Sequence, residues 1–392
     1  MAVDLLLVSF YFPPYPGVGS KRWGFLSRFF AENGYTVAVV TSPLSVREAA
    51  VPFSAGLEKI TVHTVPAPSW RPPPIPRLPF IEEWLTWQRP FRRSLEHLIQ
   101  QEHPRLLVFS GGPFFSFTLA PGLGKRFHVP YWLDFRDAWD LGSHVSLRFS
   151  APLVRHLEQS AVRNAQVITD VTPEMATLRR AAFPDLPPER FQVLENGFEG
   201  SPGSPAPPSP LGAVLRLGIW GKFSPYHPDH PLLLLAAVAE LTGEFSIEIH
   251  HLGVAGEEKA LSEAAARHGL ANDLHFHGYS DYEAGIAFLT SMDIMVVNHR
   301  SSLMVGTKVY DAIRMNRPIL AICQTDDALA RLLKPFRYAY QVSTTAEAAA
   351  ALRNVIRMRP GCLAPDLDPE PYSRRQQAQK ILPLLASLLG SR

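Results

Sequence analysis

The sequence has few cysteines, little net charge and no long apolar run. Only two of its 392 residues are cysteines, Cys323 and Cys362, so no disulfide framework is expected and a reducing, cytoplasmic compartment is predicted. The formal net charge of +2 is too small for the basic surface of a nucleic-acid-binding protein. No run of about 18 apolar residues occurs, which argues against a transmembrane helix. Residues 1–8 lack the basic start of a signal peptide and are predicted to form a strand.

Metal-ligand patterns are also scarce. His250 and His251 are adjacent on a predicted strand, so their side chains point to opposite faces of the sheet. His275 and His277 share a face, but no Cys, Asp or Glu pair accompanies them at ligand spacing. We therefore predict no metal site.

What the sequence does contain is a repeated alternation of short apolar strands and helical segments. Its apolar content of 46% is ample for packed cores. Candidate parallel strands occur on both sides of a Pro-, Gly- and Ser-rich segment: 5–10, 35–41, 105–110, 167–172, 215–220, 245–253, 293–297 and 318–322. This alternation predicts an α/β protein with two doubly wound, Rossmann-like domains.

The composition shift at the Pro-rich segment sets the domain boundaries. The first domain is predicted at 1–199, the linker at 200–210 and the second domain at 211–371. A final apolar helix, interrupted by Pro383, is predicted within 372–392.

The most informative stretch, 306–321, lies between two apolar strands. The apolar residues Val309, Ala312, Ile313 and Met315 recur at helical spacing, and Pro318 ends the predicted helix. Gly306, Thr307 and Lys308 fall where the loop becomes the helix, and unpaired N–H groups there favour an anion. Lys308 adds a positive charge, and Asp311 offers an acceptor for sugar hydroxyls one turn later. These features predict a sugar-nucleotide site, with a solvated lysine in an ordinary βαβ unit as the alternative.

Two further segments follow predicted strands in the first half. A Pro-Pro turn leads to Gly17 and Gly19, whose missing side chains allow a ligand to approach the backbone; a tight structural turn is the alternative. Asp134, Arg136 and Asp137 cluster just after another strand, where open α/β sheets bind ligands. The alternative there is an internal Asp–Arg pair that braces a loop.

Residues 66–93 form an unusual segment that we predict as a long, proline-stiffened loop. Aromatic and basic residues are interleaved in this segment: Trp70, Phe80, Trp84, Trp87 and Phe91, with Arg71, Arg77, Arg89, Arg92 and Arg93. This composition suits a membrane interface or an acceptor surface. The alternative is that the aromatic rings pack onto the domain.

Several of these segments, in this order, resemble the GT-B retaining glycosyltransferases often called family 4. The resemblance rests on the Pro-Pro and glycine segment at 13–19, the run at 134–139, Asn196-Gly197 before the linker, and the stretch 306–321. It covers nearly the whole chain. It implies two domains that face each other across a cleft and a last helix that crosses back to the first domain.

The resemblance also implies roles for individual residues. Lys222 matches the basic residue that meets the donor diphosphate, and Gly278 and Tyr279 match a segment beside the donor base. Gly17 and Gly19 match a loop that faces the donor phosphates and the acceptor. Asp311 stands where the family has the second glutamate of its Glu-x7-Glu motif.

Two positions depart from the family pattern. Leu303 replaces the first glutamate of that motif, which in the family contacts the donor sugar. His227 and His230 occupy the region of a second basic residue, and a neutral imidazole is no secure substitute for a cation.

The function implied is transfer of a sugar from a nucleotide diphosphate sugar, UDP- or GDP-linked, to an acceptor hydroxyl with retention. The acceptor is expected to be a glycan, a lipid-linked sugar or a small molecule, in polysaccharide biosynthesis at the inner face of the cell membrane. Asp134, Arg136 and Asp137 are the predicted catalytic residues, and no cofactor or metal is expected. A nucleotide-sugar epimerase of the same fold and a non-catalytic GT-B scaffold are the alternatives.

Overall fold

A computed structural model describes residues 3–15, 17–43, 59–70, 79–139, 151–203, 214–253, 258–358 and 368–390. The chain divides into two compact units, the first comprising Met1–Glu195 with Ala378–Arg392 and the second Asn196–Gln377. The sequence placed the corresponding boundaries at 199 and 372. Most of the predicted linker, 204–210, and Cys362 lie outside the described residues.

The first unit is built on a parallel sheet of seven strands. The strands are β1 Leu5–Val8, β2 Val37–Thr41, β3 Thr61–Thr64, β4 Leu106–Ser110, β5 Tyr131–Phe135, β6 Val167–Asp170 and β7 Phe191–Val193. They are short and mostly apolar, and all except β3 and β7 are buried along their whole length. The strand order is β3-β2-β1-β4-β5-β6-β7. Apolar runs of this kind are typical of parallel strands that helices cover on both faces.

The helices of the first unit connect these strands, as parallel pairing requires. They are α1 Val18–Glu32, α2 Pro79–Glu102, α3 Ala120–Phe127, α4 Ala151–Arg163 and α5 Pro173–Ala182, with short 3-10 helices at Phe114–Leu119 and Pro188–Arg190. Helix α1 buries Trp23, Leu26 and Phe30 against β1 and β4, and this packing fixes the start of α1 beside the carboxyl end of β1.

The loop predicted for 66–93 is wrong from Pro79 onward, where helix α2 begins. A proline is tolerated in the first turn, and the helix continues through Pro90. Its apolar positions follow a helical spacing that the abundance of prolines obscured: Trp87, Phe91, Leu95 and Leu98, all buried. Residues 71–78, including Arg71 and Arg77, lie outside the described residues.

The second unit has a parallel sheet of six strands in the order β10-β9-β8-β11-β12-β13. These strands are β8 Leu215–Trp220, β9 Ile247–Leu252, β10 Leu274–Phe276, β11 Ile294–Asn298, β12 Ile319–Ile322 and β13 Ala339–Val342. The sequence analysis did not identify β3 or β13. Both strands lie at sheet edges and lack a continuous apolar run.

Helices cover both faces of this sheet. They are α6 Asp229–Ala239, α7 Glu258–Arg267, α8 Tyr282–Thr290, α9 Thr307–Met315, α10 Ala328–Leu333 and α11 Thr345–Met358, with a 3-10 helix at Glu370–Tyr372. One core cluster holds residues of α6, α7 and α11. A second cluster holds residues of α8, α9 and α10, so the helices divide between two faces.

The last helix, α12 Arg374–Leu389, is continuous through Pro383, which corrects the predicted interruption. Its buried side chains Ala378, Ile381 and Leu385 belong to the core of the first unit and pack in the cluster that contains Trp23. Burial of this apolar stripe stabilises the helix although proline removes one backbone hydrogen bond. None of the described helices is both long and apolar enough to cross a membrane.

Each sheet reverses its strand order once. The reversal falls between β1 and β4 in the first unit and between β8 and β11 in the second. Ligands of open α/β sheets bind outside the carboxyl ends of the strands at such a switch point. The candidate sites are therefore the loops that follow these strands.

The packing of α2 gives a direct test of its assignment as a core helix. Phe91 is 0% exposed and its ring lies 5.2 Å from Phe115 and 5.9 Å from Phe10. We expect Phe91→Ala to lower the free energy of unfolding by about 3–5 kcal/mol, because it leaves a cavity in the core. Leu85→Ala, at a position 40% exposed on the same helix, should change it by at most about 0.5 kcal/mol. Urea unfolding followed by circular dichroism measures both; equal effects would contradict this packing.

Candidate functional sites

In the first unit, Arg136 connects the carboxyl ends of β4 and β5. Its Nε donates a hydrogen bond to the Gly111 carbonyl at 2.8 Å, and its Nη2 donates to the Gly112 carbonyl at 2.7 Å. Both carbonyls follow β4, whereas Arg136 follows β5. Burial lowers the pKa of Arg136, and the neighbouring carboxylates of Asp137 and Asp134 act in the opposite direction. The guanidinium is thus fixed in orientation and partly shielded from solvent.

The predicted glycines at the start of α1 lie against this arginine. A Cβ atom on Gly19 would stand 1.4 Å from Nη1 of Arg136, so the guanidinium occupies the space that any side chain would need. A Cβ atom on Gly17 would lie 2.6 Å from the ring of Tyr15. Gly19 and Arg136 are therefore brought together, Gly17 lies two residues before Gly19 against Tyr15, and Asp137 lies near Gly112. A helix N-terminus beside a guanidinium is a combination that suits an anion.

Asp134 lies deeper and has a different environment. It is 0% exposed, and its carboxylate accepts four hydrogen bonds: from Arg22 Nε at 3.1 Å, Arg22 Nη2 at 2.9 Å, Trp23 Nε1 at 2.8 Å and Thr169 Oγ1 at 2.8 Å. Four bonds use about all the acceptor capacity of a carboxylate. The catalytic role of Asp134 stays a prediction, and this geometry favours a structural one. The Asp–Arg pair that the sequence suggested exists, but its arginine is Arg22.

A second buried ion pair lies on the next strand. Arg179 is fully buried, and its Nη2 contacts Asp170 Oδ1 at 2.9 Å while its Nη1 contacts Glu158. The guanidinium carbon lies 3.4 Å from the ring centre of Phe135. Burial raises the pKa of Asp170, although the charge of Arg179 counteracts it. The carboxyl ends of β5 and β6 therefore each contain a buried cluster of charged side chains. Each cluster stabilises the loop that follows its strand only while every charged partner is present.

In the second unit, backbone without side chains lines the carboxyl ends of β8, β9 and β10. Gly221 N–H donates to the Leu252 carbonyl at 2.7 Å, and Gly253 N–H donates to the Gly278 carbonyl at 2.6 Å. All three glycines have positive φ angles, +76° at Gly221, +105° at Gly253 and +68° at Gly278, which other residues rarely adopt. We call Gly221, Gly253 and Gly278 together the glycine ledge, because they present backbone without side chains. A planar or charged ligand can approach this backbone closely.

Lys308 lies beside this ledge, held over an aromatic ring. Its Nζ is 3.4 Å from the centre of the Trp220 ring, and a Cβ atom on Gly221 would lie 3.5 Å from its Cε. A cation–π contact of this kind is worth about 0.5–2 kcal/mol and restricts a flexible side chain. Lys308 is therefore positioned at the start of α9 rather than extended into solvent.

Asp311 lies one turn into α9 and is 6% exposed. Its Oδ1 accepts a hydrogen bond from the Tyr282 hydroxyl at 2.7 Å. Burial and the charge of Asp311 raise the pKa of Tyr282, so the phenol remains a donor across the physiological range. The Tyr282 ring lies 5.6 Å from that of Trp220, so Asp311 and Lys308 are connected through two packed aromatic rings.

The turn before α9 is open. Gly306 is exposed, and a Cβ atom built on it would have no neighbour within 4 Å. No side chain caps the helix, and Thr307 and Lys308 are half-buried. The feature on which the sequence prediction of an anion site depends, an accessible helix start with a lysine, is present.

The remaining predicted residues are on the surface of the second unit. Lys222 is exposed directly after the ledge glycine Gly221, and Tyr279 is 69% exposed after Gly278. Leu303, at the position of the family's first glutamate, is half-buried and brings no charge. Across the residues that the structure describes, no group of three or more His, Cys, Asp or Glu side chains is arranged to hold a metal ion.

The sequence analysis missed four residues that the structure places at these sites. Arg22, Trp220, Gly253 and Tyr282 form contacts with partners 25 to 173 positions away. A partial signal existed for Trp220, since a tryptophan that ends a buried strand before a glycine turn belongs at a switch point. The partners of Arg22 and Tyr282 depend on tertiary contacts that no local pattern reveals.

Comparison with known proteins agrees with this architecture. Residues 20–197 match a family model described as a glycosyl transferase 4-like domain. A comparison with curated proteins finds no match. The predicted resemblance to family 4-like GT-B glycosyltransferases is thereby confirmed by the family model and by the structures that follow.

Three solved structures resemble the chain over nearly its whole length. HepE of Anabaena, in complex with UDP and glucose, has 15% identity and a TM-score of 0.58, covering 98% of this chain and 100% of its own. Sucrose-phosphate synthase of Thermosynechococcus elongatus has 14% identity and a TM-score of 0.64, with 99% and 97% covered. The lipopolysaccharide outer core galactosyltransferase WaaB has 11% identity and a TM-score of 0.65, with 96% and 98% covered. The predicted α/β, GT-B fold class is confirmed.

The buried pair of Arg22 and Asp134 makes a testable contribution to the stability of the first unit. The two side chains are 3% and 0% exposed, so Arg22→Met leaves an uncompensated buried carboxylate. We expect the free energy of unfolding to fall by about 3–5 kcal/mol. Tryptophan fluorescence during urea unfolding is the measurement, because Trp23 donates to Asp134 and packs 5.5 Å from Trp132.

The matched control is Arg126→Met, which removes a pair with Glu96 whose arginine is 58% exposed. This change should cost no more than about 1 kcal/mol. If the two variants unfold at the same urea concentration, the buried carboxylate does not depend on Arg22 in the way described.

Proposed function

We propose that the protein transfers a hexosyl group from a nucleotide diphosphate sugar to an acceptor hydroxyl, with retention at the anomeric carbon; the match of residues 20–197 to a model described as a glycosyl transferase 4-like domain supports this proposal. The observation that carries the proposal is the start of α9, where Lys308 is positioned by Trp220 beside the glycine ledge. Negative charge develops on the leaving diphosphate during transfer. Preorganised donors and cations at that point lower the barrier more than the same groups do in water.

The donor is proposed to lie along the second unit. The glycine ledge accommodates the diphosphate, Lys308 and Lys222 neutralise it, and Tyr279, which is 69% exposed, offers a ring for the base. Asp311 holds the ribose hydroxyls together with Tyr282. With two cations and the N–H groups of a helix start directed at the diphosphate, we propose that no metal ion is required.

The structural relatives support a choice of the first donor to test. HepE was solved with UDP, with UDP and glucose, and with UDP-glucose. We therefore propose a UDP-hexose as the first donor to test, with GDP- and ADP-linked sugars as comparisons. WaaB is described as a lipopolysaccharide outer core galactosyltransferase, and WaaG as a glycosyltransferase involved in lipopolysaccharide biosynthesis. On this basis we propose that the protein acts in polysaccharide biosynthesis, in the cytoplasm.

The acceptor is proposed to bind the first unit. Arg136 and the start of α1 favour an anionic group on the acceptor or its carrier, and Asp137 accepts from a hydroxyl. Asp134 is proposed to affect the acceptor site indirectly. Its contacts with Arg22 and Trp23 fix the position of α1, and α1 places Gly19 against Arg136. Its loss is expected to affect the whole of this region.

One observation favours a second candidate, a non-catalytic GT-B protein that binds a nucleotide sugar. Leu303 stands where the resemblance implies a glutamate that contacts the donor sugar, and it supplies no hydrogen bond from its side chain. Such a protein retains nucleotide binding but neither hydrolyses nor transfers the sugar.

The decisive experiment combines binding with turnover. In a thermal-shift screen, UDP-sugars are expected to raise the melting temperature most, and calorimetry should give an affinity for UDP that Lys308→Ala weakens by about 1.5–3 kcal/mol, or roughly 10- to 150-fold. The control Lys259→Ala, an exposed lysine on α7, should leave it unchanged. Proton NMR of the released sugar reports the anomeric configuration.

Each outcome has a clear meaning. Equal UDP affinity of the wild type and Lys308→Ala removes Lys308 from the donor site. Stabilisation by no nucleotide sugar overturns the donor proposal as a whole. Binding without any turnover selects the non-catalytic alternative, and an inverted product overturns retention.

Peripheral contact with the membrane is proposed through the segment that contains α2. Trp70 is 60% exposed and Leu85 is 40% exposed, and Arg89, Arg92 and Arg93 are exposed on the same helix as Leu85. Trp87, which the sequence included in this surface, is only 5% exposed and packs 5.0 Å from Phe10, so it belongs to the core. Apolar side chains beside arginines suit an anionic lipid surface.

This contact predicts a loss of binding in co-sedimentation with phosphatidylglycerol-containing vesicles. Trp70→Ala with Leu85→Ala should lower the partition coefficient about tenfold, since ~1.4 kcal/mol of apolar burial is lost. The matched control is Leu153→Ala with Leu178→Ala, which removes two side chains that are 49% and 42% exposed elsewhere on the first unit. Equal partitioning of the two double variants would contradict the contact.

A further inference from the structure

The second unit has a large groove that none of the predicted donor-binding residues lines. It has a volume of about 640 Å³ and is formed by the starts of α6 and α11 and by the loops that follow β12 and β13. Helices α6 and α11 belong to one core cluster and α9 to the other, so the two helices that contribute to the groove lie on the opposite face of the sheet from α9. Such a volume is within the usual range for small-molecule sites.

One wall of the groove combines flat rings with apolar surface. The imidazoles of His227 and His230 are stacked, with ring centres 3.9 Å apart and planes 6° from parallel. Leu232, which is 44% exposed, and Ala236 continue this wall along α6. Two stacked planar rings next to aliphatic carbon form a platform against which the C–H face of a ring can pack.

Other residues that line the groove supply neutral hydrogen-bonding groups. Gln324, Ser343, Thr344 and Thr345 line it, with His268 at the end of α7. An amide offers two donors and an acceptor, and each hydroxyl offers both functions. These are groups that pair with neighbouring hydroxyls of a ligand without requiring a charge on it.

The charged side chains that line the groove do not favour an anion. No lysine or arginine lines it, and Asp229 is the one carboxylate among the described residues that do. Burial lowers the pKa of His230 to about 4, so its ring is uncharged at neutral pH. The N–H groups of Ser343 and Thr344 donate to the side chain of Glu347, at 2.7 and 3.1 Å, so α11 presents its own carboxylate at its start.

We propose that this groove is a saccharide-binding site that holds an uncharged oligosaccharide, with a pyranose ring on the His227–His230 stack and its hydroxyls paired with Gln324 and Thr345. The inference rests on the composition and geometry of the groove and not on the donor site. In an enzyme that extends a glycan, such a site retains a distant part of the chain between transfers and raises its effective concentration.

The test uses free oligosaccharides without a nucleotide. Saturation-transfer NMR with maltohexaose, cellohexaose and laminarihexaose is expected to show binding of at least one of them, and calorimetry then gives its affinity. His227→Ala and Gln324→Ala should each weaken it about fivefold, whereas His156→Ala, at an exposed histidine on α4, should not. Both groove residues are exposed, so thermal melting should be unchanged.

Two further measurements separate this proposal from the donor site. Lys308→Ala should bind the oligosaccharide as the wild type does, whatever happens to its affinity for UDP. Inorganic phosphate at millimolar concentration should not compete. The proposal is overturned if no oligosaccharide binds, if binding survives both groove substitutions unchanged, or if phosphate displaces the sugar.

Discussion

The first unit depends on one buried carboxylate that has no solvent to stabilise it. Asp134 is surrounded by Arg22, Trp23 and Thr169, so its hydrogen bonds come from groups of α1 and of the neighbouring strand. Removing Arg22 takes away the cation that is paired with this carboxylate in a medium of low dielectric constant. The position of α1, and with it the contact between Gly19 and Arg136, is therefore fixed by an interaction that lies below the site.

The second unit also fixes the positions of its charged groups, but by different interactions. Its site has a ledge of glycines, an aromatic ring that holds a lysine and a phenol that holds an aspartate. The backbone of the ledge is exposed by strand geometry, and the aromatic rings position the charged groups. One unit thus positions its charges by pairing them, and the other by packing them against rings.

The sequence predicted the central strands, the fold class and the family resemblance, because these depend on local apolar runs and on short motifs in order. It failed at α2, where prolines concealed a helical spacing, and at the edge strands, which lack a buried run. At the site, an accessible turn with Lys308 was predictable from spacing. The burial of Asp134 and the ring under Lys308 were not, since both follow from contacts between distant segments.

Two glycines at helix starts show how differently the same residue is constrained. Around Gly306 there is open space, and its φ of −69° is one that any amino acid adopts, so the protein itself tolerates a methyl group there. At Gly19 a methyl group would coincide with a guanidinium nitrogen. A saturation library that is screened only for folding would accept many substitutions at position 306 and few at position 19. If substitutions at position 306 are then rejected in a screen for activity, the rejection reports on what the turn binds.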